Sequence, residues 1–298
     1  MGMDLSNRNA DVRFPSRPAT GPLVIAHRGA RAFAPENTLD AFDAALACGA
    51  DGVEFDVHLS RDQVPVVIHD DDLLRTTDAA TKFPDRRPWW VSSFTAAELG
   101  SLNAGVGFAG VPGVTPAEAA RFPWDRTRRP GVPTLAQVLD HLSPTPLLIN
   151  IELKTIPRLY KGLARMAVAQ VRSRGLQART LISSFDHRQL EIVRQFDERI
   201  ATGVLDGHRL ARPAEYCRML EADVYLPGCI GEFDQLGFGS VDGKLRTEGL
   251  LDALEEGLAV LVWTENDPAR LRALAEAGVT GLITDFPNRA VECRSVLR

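Results

Sequence analysis

The chain has 298 residues, 45% of them hydrophobic and 24% charged. Those are ordinary globular proportions, and they exclude disordered, collagen-like and disulfide-scaffold architectures. Its 34 basic and 39 acidic residues leave a net charge of −5, the wrong sign for general binding to nucleic acid or to an anionic membrane surface.

From the N-terminus, residues 1–21 are polar, with Arg8, Arg13 and Arg17 and no apolar stretch of the secretory type, so a short flexible leader is expected there. Residues 22–298 then alternate short apolar runs with amphipathic stretches. Strands are predicted at Leu23–His27, Gly52–His58, Val64–His69, Leu147–Leu153, Thr180–Phe185, Ile200–Leu205, Asp223–Pro227, Ala259–Thr264 and Gly281–Asp285. Helices are predicted at Thr38–Cys48, Tyr160–Arg174, His187–Phe196, Pro213–Glu221, Glu248–Glu256 and Pro268–Ala277. Gly49, Gly175, Gly257 and Gly278 stand where helix C-caps favour a left-handed residue. Alternation of this kind calls for a parallel sheet with helical cover, and about eight such strands favour a TIM (β/α)8 barrel. No G-x-G-x-x-G follows the first strand, which argues against dinucleotide binding.

Two stretches break the alternation. Val64–His69 follows Gly52–His58 too closely for a parallel crossover, so the two runs must form a hairpin. A two-residue turn at Arg61-Asp62 sets His69 opposite Glu54; a one-residue shift sets it opposite Asp56. Residues 71–133 hold 7 of the 19 prolines, six glycines, and Trp89, Trp90, Phe94, Phe108, Phe122 and Trp124, and they read as a small inserted cap with a charge near +1. No run reaches about 18 consecutive apolar residues, so no membrane span is expected. Cys48, Cys217, Cys229 and Cys293 lie far apart without a C-x-x-C pair, as reduced thiols of a cytoplasmic protein do.

Alternate residues of a strand share a face, which groups Glu54 with Asp56, and Asn150 with Glu152 and Lys154. Carboxylates inside a barrel are costly unless paired or bound to a cation. The set fits two readings: oxygen ligands for a hard cation such as Mg2+ or Ca2+, or a buried ion-pair network around Lys154. His27 and His69 each end a strand; either is a hydrogen-bonded structural residue, or the two together form an acid–base pair beside the carboxylates. Arg28 suits bidentate contact with a phosphate, and Lys154 suits a point charge. His58, His141, His187 and His208 lack such company.

The run "IAHRGARAFAPENTLDAFDAALACGADGVEFDVHLSRDQVPVVIHDDDLLRTTD" resembles the N-terminal signature of the glycerophosphodiester phosphodiesterase family. "VPTLAQVL", "NIELK", "ISSFD", "LVWTEN" and "GLITDFP" follow in the family's order, so the resemblance runs from about Leu23 to Pro287. It implies a TIM-type barrel with an insertion after the second histidine, and a metal-dependent enzyme that releases glycerol 3-phosphate and an alcohol from a glycerophosphodiester. It implies His27 and His69 as the acid–base pair, with His27 the base, and Glu54, Asp56 and Glu152 as ligands of Mg2+ or Ca2+. Arg28 and Lys154 become phosphate contacts. In the implied route the substrate's glycerol 2-hydroxyl attacks phosphorus, and water then opens the cyclic phosphate.

Weaker expectations attach to other matched positions. Glu36 either hydrogen-bonds the reacting groups or caps the helix near Thr38, and Asn37 is structural. Trp263 either walls the glycerol pocket or packs the barrel, and Asp285 ends a late strand where barrel active sites are built. Trp89 and Trp90 face a head group or, by preference, fill the cap's own core; Arg126, Arg128 and Arg129 form a solvated run. Ala136, His58 and Glu265 depart from the family pattern and bear on substrate choice. The rival activities are phospholipase D-type hydrolysis of lysophospholipids and non-catalytic binding of a phosphate ester.

Overall fold

A computed structural model describes residues 17–242 and 244–296. Of the leader expected over 1–21, residues 1–16 lie outside the described residues; Arg17 donates to the Ala275 carbonyl at 2.9 Å. The strands are β1 (Leu23–His27), β2 (Gly52–Leu59), β3 (Pro65–Val67), β4 (Leu148–Leu153), β5 (Thr180–Ser184), β6 (Ala201–Asp206), β7 (Val224–Pro227), β8 (Ala259–Val262) and β9 (Gly281–Thr284). The hydrogen-bonded order β1-β9-β8-β7-β6-β5-β4-β2 closes through a β1–β2 pairing, and every pair in that ring is parallel. Eight strands so closed, with helices between them, make a TIM barrel.

Leu23, Ile25, Leu181, Leu226, Leu261 and Ile283 fill the barrel from the inner face of its strands. The outer faces pack under helices, where Val53, Phe55, Ile149 and Ile151 meet Phe42, Leu139 and Val168. Two of the helices begin where polar caps satisfy their first N–H groups: Thr38 accepts from Ala41 N, and Asp267 from Ala269 N and Arg270 N. The helix expected from Tyr160 starts later, at Leu163, after Gly162 turns left-handed (φ +84°). Two further helices, Leu135–Leu142 and Pro287–Val296, complete the outer layer.

The hairpin takes neither expected register. Val57 pairs with Val67 and Leu59 with Pro65, which leaves a three-residue turn, Arg61 to Gln63. Gln63 adopts φ +60°, and Ser60 Oγ accepts from Val64 N, the geometry of a three-residue loop with a left-handed last position. The odd loop length shifts every partner by one residue. The Ile68 N–H still donates to the Asp56 carbonyl at 3.0 Å, so His69 returns beside β2.

Residues 71–133 are more regular than their composition suggests. They contain helices Ala79–Lys82, Ala96–Gly100 and Pro116–Arg121, the last two begun by reciprocal Thr–Glu caps. Leu73, Trp89, Val91, Phe94, Leu99 and Leu102 form a separate apolar cluster there. Arg126, Arg128 and Arg129 are all exposed, and two of them also make contacts: Arg128 pairs with Asp40 of the barrel at 2.8 Å, and Arg126 donates to the Phe108 carbonyl. No helix among the described residues is long and apolar enough to cross a membrane.

Candidate active site

Sheet register assembles the site at the C-terminal ends of the barrel strands. His27 closes β1 beside Glu54 of β2; across the next pairing Glu54 faces Asn150 and Asp56 faces Glu152. Residues in register on neighbouring parallel strands share a face, so all five side chains stand on the inner side above Ile25 and Ile283.

Glu54, Asp56 and Glu152 are all buried, and each offers one oxygen within 4.8 Å of the others. Lys154 Nζ lies 3.1 Å from Asp56 and 2.5 Å from Glu152. Against burial, which pushes it up, Lys154, His69 and Arg28 hold the Asp56 carboxyl well below its ordinary range. Glu54 goes the other way: burial, then repulsion from Asp56 and Glu152, pushes its carboxyl well above the usual range. Its Oε2 accepts from the Arg28 N–H at 3.0 Å, while its buried Oε1 has no hydrogen-bond partner. The ion-pair network around Lys154 therefore exists but leaves the Glu54 Oε1 without a partner. A hard divalent cation, which prefers several carboxylate oxygens, fits that deficit.

Both histidines are held through Nδ1. His27 Nδ1 lies 2.7 Å from Asp285 Oδ1, and His69 Nδ1 lies 2.6 Å from Asp70 Oδ1. A carboxylate only accepts, so each Nδ1 carries the proton and each Nε2 is the free nitrogen. Burial and the neighbouring Arg28 lower His27 to about 4 despite Asp285. Asp285 itself is held at about 2, against burial, by its bonds to His27 and by Arg31 and Asn266. His58, for which the sequence suggested no role, donates from Nε2 to the His69 carbonyl at 3.0 Å and fixes the backbone of the second histidine.

The His-Arg-Gly turn gives the cationic side of the site. Arg28 adopts φ +54°, and Gly29 follows at +76°, where a Cβ would meet Ala41 at 2.6 Å. Arg28 donates to Glu36 at 2.8 Å and its Nε lies 3.5 Å from Asp56. Asn37, also left-handed, donates to Asp56 Oδ2 at 2.8 Å. Glu36 does not cap the helix; Thr38 does that, and Glu36 instead collects Arg28, Arg31 and Arg75.

His27, Arg28, Glu54, His69, Glu152 and Lys154 line one cavity of about 390 Å³. Its opposite wall is apolar: Phe185 and Phe233 pack on Trp263 at centroid distances of 5.5 and 5.6 Å, and Trp263 Nε1 donates to the Leu226 carbonyl. Trp89 sits in the cap's core, donating to the Phe83 carbonyl, and Trp90 stacks on Arg158 at 3.7 Å; neither lines the cavity. A second cavity of about 400 Å³, near Tyr225 and Gln235, contains none of these residues.

The glycerophosphoryl diester phosphodiesterase family model matches residues 27–289, nearly the whole chain. The chain belongs to that family. It shares 30% identity over 269 residues with a glycerophosphodiester phosphodiesterase of Caldanaerobacter subterraneus subsp. tengcongensis, covering 90% of this chain and 96% of the relative. A glycerophosphodiester phosphodiesterase of Bacillus altitudinis is 30% identical over 277 residues, covering 92% and 99%. Among solved structures, a putative glycerophosphoryl diester phosphodiesterase of Silicibacter pomeroyi superposes with a TM-score of 0.75 at 28% identity, covering 95% of this chain and 96% of that one. An Oleispira antarctica phosphodiesterase, solved with the product sn-glycerol-3-phosphate, gives 0.70 at 26% identity, covering 92% and 96%. With the family comes its enzyme class, the glycerophosphodiester phosphodiesterases, which displaces the non-catalytic binding protein as a reading.

Proposed function

We propose that the chain hydrolyses glycerophosphodiesters to glycerol 3-phosphate and an alcohol, with Glu54, Asp56 and Glu152 holding a divalent cation, Mg2+ or Ca2+. The observation that carries the metal reading is the buried, partnerless Oε1 of Glu54 among three carboxylates. The cation, when bound, polarises a phosphoryl oxygen and acidifies an adjacent hydroxyl.

The rest of the chemistry falls to the chain's own groups. Arg28 and Lys154 take up charge on the phosphoryl oxygens, and Trp263 with Phe185 packs the carbon skeleton of the glycerol. His27 Nε2, unprotonated because Asp285 holds the proton on Nδ1, accepts the proton of the glycerol 2-hydroxyl as its oxygen bonds to phosphorus. The bond from phosphorus to the leaving oxygen breaks, and protonated His69 supplies that oxygen with a proton from Nε2. The cyclic phosphate so formed is opened by water with the two roles reversed. The product bound in the Oleispira antarctica relative supports this reaction class.

Two variants test the assignment. His27→Ala should cut turnover by about 100-fold or more while fold and metal content persist. Glu152→Ala should weaken metal affinity at least tenfold (about 1.4 kcal/mol). Turnover that persists undiminished in His27→Ala removes that residue from the chemistry, and unchanged metal affinity in Glu152→Ala removes it from the ligand set.

A further inference from the structure

His69 and Arg28 reach the cavity from different parts of the chain, and one guanidinium ties them together. Arg75, six residues beyond His69, donates from Nε to Asp70 Oδ2 at 2.6 Å and from Nη2 to Asp70 Oδ1 at 3.1 Å. The same group donates from Nη1 to Glu36 Oε2 at 2.9 Å and from Nη2 to Glu36 Oε1 at 2.7 Å. Asp70 Oδ1 in turn accepts from His69 Nδ1, and Glu36 Oε1 accepts from Arg28 Nη1. The chain of contacts thus runs His69–Asp70–Arg75–Glu36–Arg28, each link at hydrogen-bond distance.

We propose that Arg75 is a positioning residue: it clamps Asp70 and Glu36 in one plane and thereby fixes the His69 imidazole relative to the Arg28 guanidinium. It rests on the reading of His69 as the acid that protonates the leaving group. A planar fork with five donors can hold two carboxylates at once, whereas an ammonium offers one point charge. Without the fork, Asp70 and Glu36 lose two charged hydrogen bonds each, and His69 Nδ1 is left on a carboxylate free to rotate. A displacement of about 1 Å at a reacting group costs on the order of 100-fold in rate. Arg75 also borders a separate cavity of about 160 Å³, with Glu36, Thr76 and Phe108, and its side chain is about half exposed.

The test uses the metal-loaded, full-length protein and two glycerophosphodiesters, one with choline and one with p-nitrophenol as leaving group. p-Nitrophenolate leaves without a proton, so a defect in His69 should shrink on that substrate. Arg75→Ala is expected to lose about 10- to 100-fold in kcat on glycerophosphocholine, and much less on the p-nitrophenyl ester, in parallel with His69→Ala. Millimolar guanidinium should restore part of the lost turnover, and Arg75→Lys should restore less than the fork does. Arg128→Ala, which breaks another tether between cap and barrel, should keep wild-type turnover on both. Arg75→Gln provides a second variant if the alanine form does not fold. Wild-type turnover in the folded Arg75 variants, or equal losses on both esters while His69→Ala keeps its leaving-group dependence, overturns the proposal. Equal losses on both esters in His69→Ala overturn instead the acid role on which it rests.

Discussion

Asp285→Asn is the most informative single substitution, because the surrounding hydrogen bonds dictate how the new amide must lie. Asn266 Oδ1 accepts from the Asp285 N–H at 2.9 Å and from Thr284 Oγ at 3.0 Å. Its Nδ2 must therefore face Asp285 Oδ2, where it donates at 2.8 Å. An asparagine at 285 can satisfy that donor only with its carbonyl oxygen, which turns its NH2 toward His27 Nδ1. His27 must then accept at Nδ1 and carry its proton on Nε2, the tautomer unable to take a proton from substrate. The expected loss in kcat is about 100- to 10,000-fold, equivalent to ~3–5 kcal/mol of barrier. The fold should hold. The ion pair to Arg31 at 3.7 Å is weak, and its loss costs ~1 kcal/mol or less, a shift of about 2–4 °C in melting temperature. Asp285→Ala, which imposes no tautomer, should be less damaging than Asp285→Asn. Steady-state release of glycerol 3-phosphate, measured beside thermal melts of both variants, decides it. Asparagine milder than alanine, or activity lost only in proportion to lost fold, would refute the tautomer argument.

Other outcomes follow from the same groups. His27 is held near 4, so its contribution to stability is complete above the ordinary value of 6.5 and disappears as pH falls toward 4. In chelator the His27 part of that change amounts to ~3 kcal/mol across the window, opposite in sign to the Glu54 part, and it is read as the difference between wild type and His27→Gln in urea titrations. Glu54 is raised, so its folded carboxyl binds protons that the unfolded chain has released, and metal-free stability should fall as pH climbs above about 4.3. Glu54→Gln should remove that decline and also abolish the rise in melting temperature that Mg2+ or Ca2+ gives the wild type; a variant still stabilised by the ion contradicts the ligand assignment. Leu139→Ala, at a fully buried position under the barrel, should cost ~2–5 kcal/mol while leaving turnover per folded molecule unchanged.

Much of the barrel and its central residues was legible because parity is cheap to read. Glu54 and Asp56 lie two apart on a strand, as do Glu152 and Asn150, and closing the ring brings the two strands into register. The same parity extends to His58, so the signal for its place beside His69 was present and unused. The helix Leu135–Leu142 was also signalled, by the reciprocal cap of Thr134 and Gln137, and missed because the preceding prolines read as loop. The hairpin register failed for a different reason: a left-handed Gln63 adds one residue to the turn, and nothing in its side chain announces that conformation. Arg75 with Glu36, and Asp285 with His27, pair across segments distant in sequence, and no spacing rule encodes those pairings. The cap tryptophans illustrate the converse, since aromatic content alone did not distinguish a small core from a binding wall.

The central claim is that buried carboxylates and a pair of histidines hydrolyse a glycerophosphodiester with the help of a divalent cation. Incubating the purified protein with glycerophosphocholine and Mg2+ or Ca2+, with and without EDTA, and measuring glycerol 3-phosphate tests it most directly. Release that stops in EDTA and returns when the ion is restored is the predicted result. Undiminished release in EDTA, or none from a folded, metal-loaded sample offered both this substrate and a lysophospholipid, would contradict it.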